Sequence, residues 1–226
     1  MTLAGTAKAA LNRIVKNVTW VFSSIGAAVA GWFRNFFLRE DQRIERHLET
    51  AADAYQKGDI AAAEEAVNEI LKLRPDDLMA INQKGHIHKL RGELDMAEHA
   101  YGRVVELAEQ QNDEEARAIA LGNLGLIYRT RGELGRAEEA HTKALEIDER
   151  LGRLEGVASA YGNLGLIAKE RGDTKKAREL WTRARDLFKK IGMPHMVKKV
   201  QVWLDELADA DQAGDAPPHE DDQPTG

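Results

Sequence analysis

Apolar residues recur at intervals of three and four along most of the chain. Leu121, Leu124, Ile127 and Tyr128 make one such set, and Leu134, Ala137, Ala140, Ala144 and Leu145 make the next. That spacing puts each set on one face of a helix. Gly132 stands between them, where a glycine suits a helix end that turns through a left-handed conformation. Asp59 and Asp173 are placed to cap the helices that follow them. The pattern therefore predicts pairs of helices joined by tight turns.

The pairs repeat. GNLGLIYRTRGEL, from Gly122 to Leu134, returns forty residues later as GNLGLIAKERGDT, from Gly162 to Thr174, with eight of thirteen positions identical. Gly85 aligns with Gly125 and Gly165, and Gly92 with Gly132 and Gly172. Each of the later glycines follows an arginine (Arg91, Arg131, Arg171), and each is followed five residues on by an alanine (Ala97, Ala137, Ala177). A weaker copy lies upstream, with Gly58 and Ala63 in register and Pro75 closing it. Gly58 and Gly92 are 34 residues apart and the later steps are 40. Periods of this size imply stacked supersecondary units rather than one globular core.

These residues resemble the tetratricopeptide repeat family. The matching features are the small first-helix residue (Gly85, Gly125, Gly165), the loop glycine and the alanine. A large residue follows four positions after the alanine (Tyr101, His141, Trp181), and Pro75 falls at the repeat-ending proline. The 40-residue units are similar to those of Pins-type scaffolds and kinesin light chains. Two positions depart from the pattern: Ala51 replaces the first-helix glycine of the first repeat, and Lys84 replaces the leucine before Gly85. The resemblance covers about residues 42–191 and implies an all-α solenoid of about four helix-turn-helix units, near 44–77, 78–117, 118–157 and 158–191. An open-ended stack needs a cover. Residues 194–208 supply one, starting at Pro194 with Met196, Val197, Val200, Trp203, Leu204 and Leu207 on one stripe. Residues 209–226 combine acids, prolines and small residues, a composition expected to stay disordered.

Residues 1–39 differ in character. Leu11, Ile14, Val15, Val18, Val21, Phe22, Ile25, Val29, Trp32, Phe33, Phe36 and Phe37 form an apolar stripe at helical spacing, with no charge from Asn17 to Phe33. Four readings fit this segment. One is an interfacial amphipathic helix that sets Trp20, Phe22, Ile25, Trp32, Phe33 and Phe36 into a membrane and its basic face on anionic lipid. The second is a short span or signal anchor, for which seventeen residues of helix reach roughly 25 Å against about 30 Å of hydrocarbon. The third is a signal cleaved after Ala28-Val29-Ala30. The fourth is a helix packing onto the first repeat or onto another copy. Three of the four involve a membrane, so the chain is expected to be membrane-associated; basic residues flank both ends of the stripe and leave the side open, with the cytoplasmic face favoured.

Charge sharpens this. Residues 1–39 hold five bases and no acid, and residues 208–226 hold six acids with no Lys or Arg. The repeats carry mixed charge without the basic excess of a nucleic-acid binder, so no nucleic acid is expected as a partner. The chain has no cysteine, which removes disulfides, thiolate ligands and cysteine nucleophiles. His86 and His88 stand two apart and point to different helix faces, unlike an i, i+4 metal pair. Glu138 and Glu139 are adjacent and splay apart. No phosphate loop or nucleophile motif is present, so neither enzyme activity, cofactor nor small-molecule substrate is expected.

A binding surface remains. By the resemblance, first helices line a groove where an asparagine column grips an extended peptide, and Gln83, Asn123 and Asn163 occupy that column. A carboxamide donates and accepts at once, which suits a peptide backbone; the same residues could equally bond within their own stack. Lys89, Arg129 and Lys169 make a second column. It reads either as a basic stripe for an acidic or C-terminal carboxylate segment, or as cations stabilised at helix C-termini by about 0.3–1 kcal/mol. Arg91, Arg131 and Arg171 lie in the turns and read as structural. The expectation is a non-enzymatic scaffold or adaptor that binds a protein or peptide. The alternative is a membrane-complex assembly or quality-control factor whose N-terminal helix is itself the specific contact.

Overall fold

The computed structural model describes residues 27–214, with side chains for residues 39–209. Every regular element among the described residues is an α-helix. The chain divides into two compact units, residues 1–77 and 78–226.

The first unit is a hairpin of α1 (Ala27–Lys57) and α2 (Ile60–Leu73). Gly58, at φ +71°, makes the left-handed turn. Asp59 then caps α2 by accepting a hydrogen bond from the Ala62 amide at 3.0 Å, as its position predicts. Ile44, Ala51 and Ala54 of α1 and Ala63, Ala66, Val67 and Ile70 of α2 are buried. Beyond α2, Arg74 pairs with Asp41 and comes within 3.6 Å of Glu40. The end of α2 thus lies beside Glu40 and Asp41, and α1 continues backwards from there to Ala27, roughly 20 Å at 1.5 Å per residue.

This continuity corrects the sequence reading, which separates an N-terminal helix at residue 39 from a first repeat at 42. Helix α1 runs through that border without a break. The composition changes there from apolar to charged, but no glycine or proline lies between Gly31 and Gly58. Polarity alone does not stop a helix; backbone chemistry does. Trp32, Phe33 and Phe36 belong to α1, whereas Trp20, Phe22 and Ile25 lie outside the described residues. Among the described residues no helix is long and apolar enough to cross a membrane.

The second unit stacks three hairpins and a closing helix. The pairs are α3 (Leu78–Leu90) with α4 (Leu94–Gln111), α5 (Glu114–Thr130) with α6 (Leu134–Leu151), and α7 (Leu154–Glu170) with α8 (Thr174–Lys190); α9 (Pro194–Gly214) follows. Each helix packs on the next in sequence. In addition α3 meets α5 and α5 meets α7, a contact that neighbouring second helices do not make to a comparable extent. First helices therefore form an inner layer and second helices an outer one. Gly132, at φ +76°, turns α5 into α6. Asp113 caps α5 through the Ala116 amide at 2.9 Å, and Asp173 caps α8 through Lys176 at 2.9 Å.

Packing explains the repeated glycines. A Cβ on Gly85 would stand 2.7 Å from Tyr101 Cε1, and one on Gly125 would stand 2.6 Å from His141 Nε2. Gly165 gives the same room to Trp181. Tyr101, His141 and Trp181 are all at most 1 % exposed. At the far end Val200, Leu204 and Leu207 of α9 join Trp181, Ala184 and Phe188 in one cluster. Burying such an aliphatic side chain contributes about 1.5–3 kcal/mol, which is why α9 closes the stack. It runs to Gly214, six residues past the expected end; residues 215–226 lie outside the described residues.

Candidate binding groove

Arginines tie successive helix pairs together in the second unit. Arg131, at the end of α5, bonds Glu98 and Asp95 on α4. Arg171, at the end of α7, bonds Glu138 on α6. Both reach a glutamate 33 residues back, so these two turn arginines clip neighbouring helix pairs together, and the Arg131 guanidinium holds Glu98 below the ordinary carboxylate range. The clips fix the offset between neighbouring first helices and hence the spacing of anything displayed on them.

Gln83, Asn123 and Asn163 sit on α3, α5 and α7, each two residues before a packing glycine, and all three are half-buried. They do not behave alike. Asn123 Nδ2 donates to Asn82 Oδ1 at 3.0 Å, bridging α5 to α3. Asn163 makes no such bridge among the described residues. Forty residues after Asn163 stands Trp203 on α9. As its place on the closing stripe predicts, it packs against the buried cluster of Trp181, Phe188 and Val200, and the residue itself is half-buried. It lies 5.3 Å from the Trp181 ring, centroid to centroid, and beside Gly162. An indole thus ends the carboxamide column. The missed signal is the forty-residue step itself, which continues past the last recognisable repeat.

The cation column also divides. Arg129 Nη1 donates to Glu170 Oε1 at 2.7 Å, and Lys169 Nζ donates to Glu206 Oε2 at 2.8 Å while lying 5.9 Å from the centre of the Trp181 ring. Arg129 thus pairs with an acid on α7 and Lys169 with one on α9. Lys89 has no acid of this kind among the described residues, and burial holds its ammonium below the usual lysine range. His86, one turn earlier, is pushed down by burial and by the Lys89 charge.

The other buried polar groups belong to packing. His141 is 1 % exposed, and its Nε2 has no hydrogen-bond partner. Burial, then the nearby Arg129 charge, lower its pKa to about 4. His88 Nδ1 lies 2.6 Å from Glu93 Oε2. Asp148 accepts from Arg153 at 2.9 Å, yet burial still raises its pKa. Among the described residues no three His, Cys, Asp or Glu side chains converge as a metal site.

Residues 77–150 match the family model described as tetratricopeptide repeat. No curated protein matches the sequence significantly. Among solved structures the chain is similar to BtubC (BKLC) from P. vanneervenii, at 18% identity and a TM-score of 0.60, over 100% of this chain and 98% of that one. It is also similar to the MamA RS-1 ArsTM double mutant, at 24% identity and a TM-score of 0.51, over 79% of this chain and 94% of that one. At these identities the likeness establishes a shared fold.

Proposed function

We propose that this tetratricopeptide repeat protein is a non-enzymatic scaffold whose inner helices hold an extended segment of a protein partner. The observation that carries the reading is the Asn163 carboxamide. It is half-buried on the inner layer, in column with Gln83 and Asn123, and is not spent on a bridge to the next helix as Asn123 is. Such a group offers one donor and one acceptor to a passing peptide backbone. Replacing Asn163 by alanine is expected to weaken partner capture at least fivefold and leave the melting temperature within about 2 °C, since a half-exposed substitution of this kind moves stability by about 0.5 kcal/mol or less. A fall in melting temperature with undiminished capture would show a structural residue instead.

The scaffold is held at a membrane by residues 1–39. The apolar stripe supports this, together with flanking Lys8, Arg13, Lys16, Arg34 and Arg39, which suit the anionic lipids of a cytoplasmic leaflet. Vesicles with 30% phosphatidylserine are expected to sediment the full chain and leave a chain shortened to residues 40–226 in solution. Equal sedimentation of the two chains removes the tether. One observation favours the second reading, in which the N-terminal helix is the specific contact: α1 passes into the first hairpin as one unbroken helix. A bound partner would then be registered directly against the hairpin, and an unrelated anchor exchanged for residues 1–39 would abolish function rather than preserve it.

A further inference from the structure

The cation column has one vacancy in its pairing scheme. Arg129 reaches forty-one residues ahead to Glu170, and Lys169 thirty-seven ahead to Glu206. Taken from Lys89, the same steps land on Thr130 and Leu126. Neither is acidic, and they are engaged with each other: Thr130 Oγ1 donates to the Leu126 carbonyl at 2.9 Å. Lys89 is thus half-buried at a position whose two counterparts each pair with an acid of a later helix, whereas no acid of α5 pairs with Lys89: Glu114 and Glu115 lie at the other end of that helix and face Arg117, Arg150 and Arg153.

We infer that Lys89 is a receptor for a carboxylate side chain of the bound segment, which supplies the acid that positions 126 and 130 do not. The inference rests on the groove reading above and adds to it the chemistry of the partner: an acidic stretch lying along α3 and α5. A half-buried ammonium without a counter-charge carries a desolvation cost that an incoming carboxylate offsets, whereas exposed and already paired cations gain little from one. The lowered proton affinity of Lys89 has burial as its only cause, in keeping with a cation that no neighbouring acid stabilises. The helix C-terminus accounts for a cation at all three column positions, but not for the loss of the acid at one of them.

The test uses the full chain with fluorescein-labelled octaglutamate and octaglutamine, followed by fluorescence anisotropy at low salt. Octaglutamate should bind more tightly than octaglutamine. Lys89→Met should weaken octaglutamate at least fivefold and leave octaglutamine unchanged. Thr130→Glu, which installs the missing acid, should do the same by satisfying Lys89 internally. Both variants should melt no lower than the wild type, so lost binding cannot be lost folding. Lys175→Ala, at an exposed cation on α8, should bind both peptides as the wild type does.

Undiminished octaglutamate binding by Lys89→Met and Thr130→Glu overturns the inference, as does an equal loss in Lys175→Ala or no binding by the wild type. Asn163→Ala separates the two claims. If it weakens both peptides while Lys89→Met weakens neither, the groove stands and the carboxylate receptor falls. If only Lys89→Met acts, the receptor stands and the carboxamide column falls.

Discussion

Gly165→Ala should lower stability by about 1–3 kcal/mol, and Gly122→Ala should raise it by up to about 1 kcal/mol. Both glycines lie inside helices, α7 and α5, where alanine is intrinsically the better residue. Their surroundings decide the sign. A Cβ at Gly122 meets nothing within 4 Å, so only the propensity gain remains. A Cβ at Gly165 would overlap Trp181 Nε1 and Cδ1. That indole cannot retreat freely, because Trp181 is fully buried and Nε1 donates to the Gly162 carbonyl at 3.0 Å. Losing that bond adds about 1 kcal/mol to the overpacking. Urea denaturation of the two variants checks this, and a Gly165→Ala protein as stable as the wild type contradicts the packing argument.

The second large effect is a loss of stability in acid that one side chain causes. His141 fills under Gly125 the place that Tyr101 fills under Gly85 and Trp181 under Gly165. Its folded pKa is lowered from 6.5 to about 4. The unfolded chain therefore takes up a proton as pH falls through about 6.5, whereas the folded chain refuses it until about 4. Stability from the neutral ring is complete above about 6.5 and is lost progressively down to about 4, by about 3 kcal/mol in all. Between pH 7.5 and 5.0 the wild type should lose about 2 kcal/mol more than His141→Tyr, whose phenol does not titrate there. Chemical denaturation at the two pH values measures the difference. Equal losses would falsify the assignment of a buried neutral imidazole.

The helix pairs are legible in the sequence because they rest on local rules that repeat. The loop glycines announce left-handed turns, Asp59 and Asp173 announce caps, and alternation of Gly165 with Trp181 announces a close helix crossing. What stayed hidden depends on the offset between neighbouring units, which no single repeat encodes. Asn123 bonds Asn82 rather than Gln83, its partner in the repeat alignment, a step of forty-one residues where the repeat is forty. Arg129 meets Glu170 at the same forty-one-residue step, and counted from Lys89 that step falls on Thr130, which carries no acid. Trp203 packs on the closing cluster as its stripe predicts, but its contact with the Trp181 ring and its place beside Gly162 depend on the neighbouring repeat. The border drawn at residues 39–42 followed polarity, to which the backbone of α1 is indifferent.

The groove is tested most directly by photo-cross-linking with benzoylphenylalanine placed at position 163 on inner α7 or at position 143 on outer α6. Lys143 is exposed and held only by its own helix, through Glu139, so a probe there reports the outer face. A partner seated along the inner helices gives a cross-linked band from position 163 and none from position 143. Cross-linking from 143 with none from 163 would put the partner on the outer layer and contradict the account.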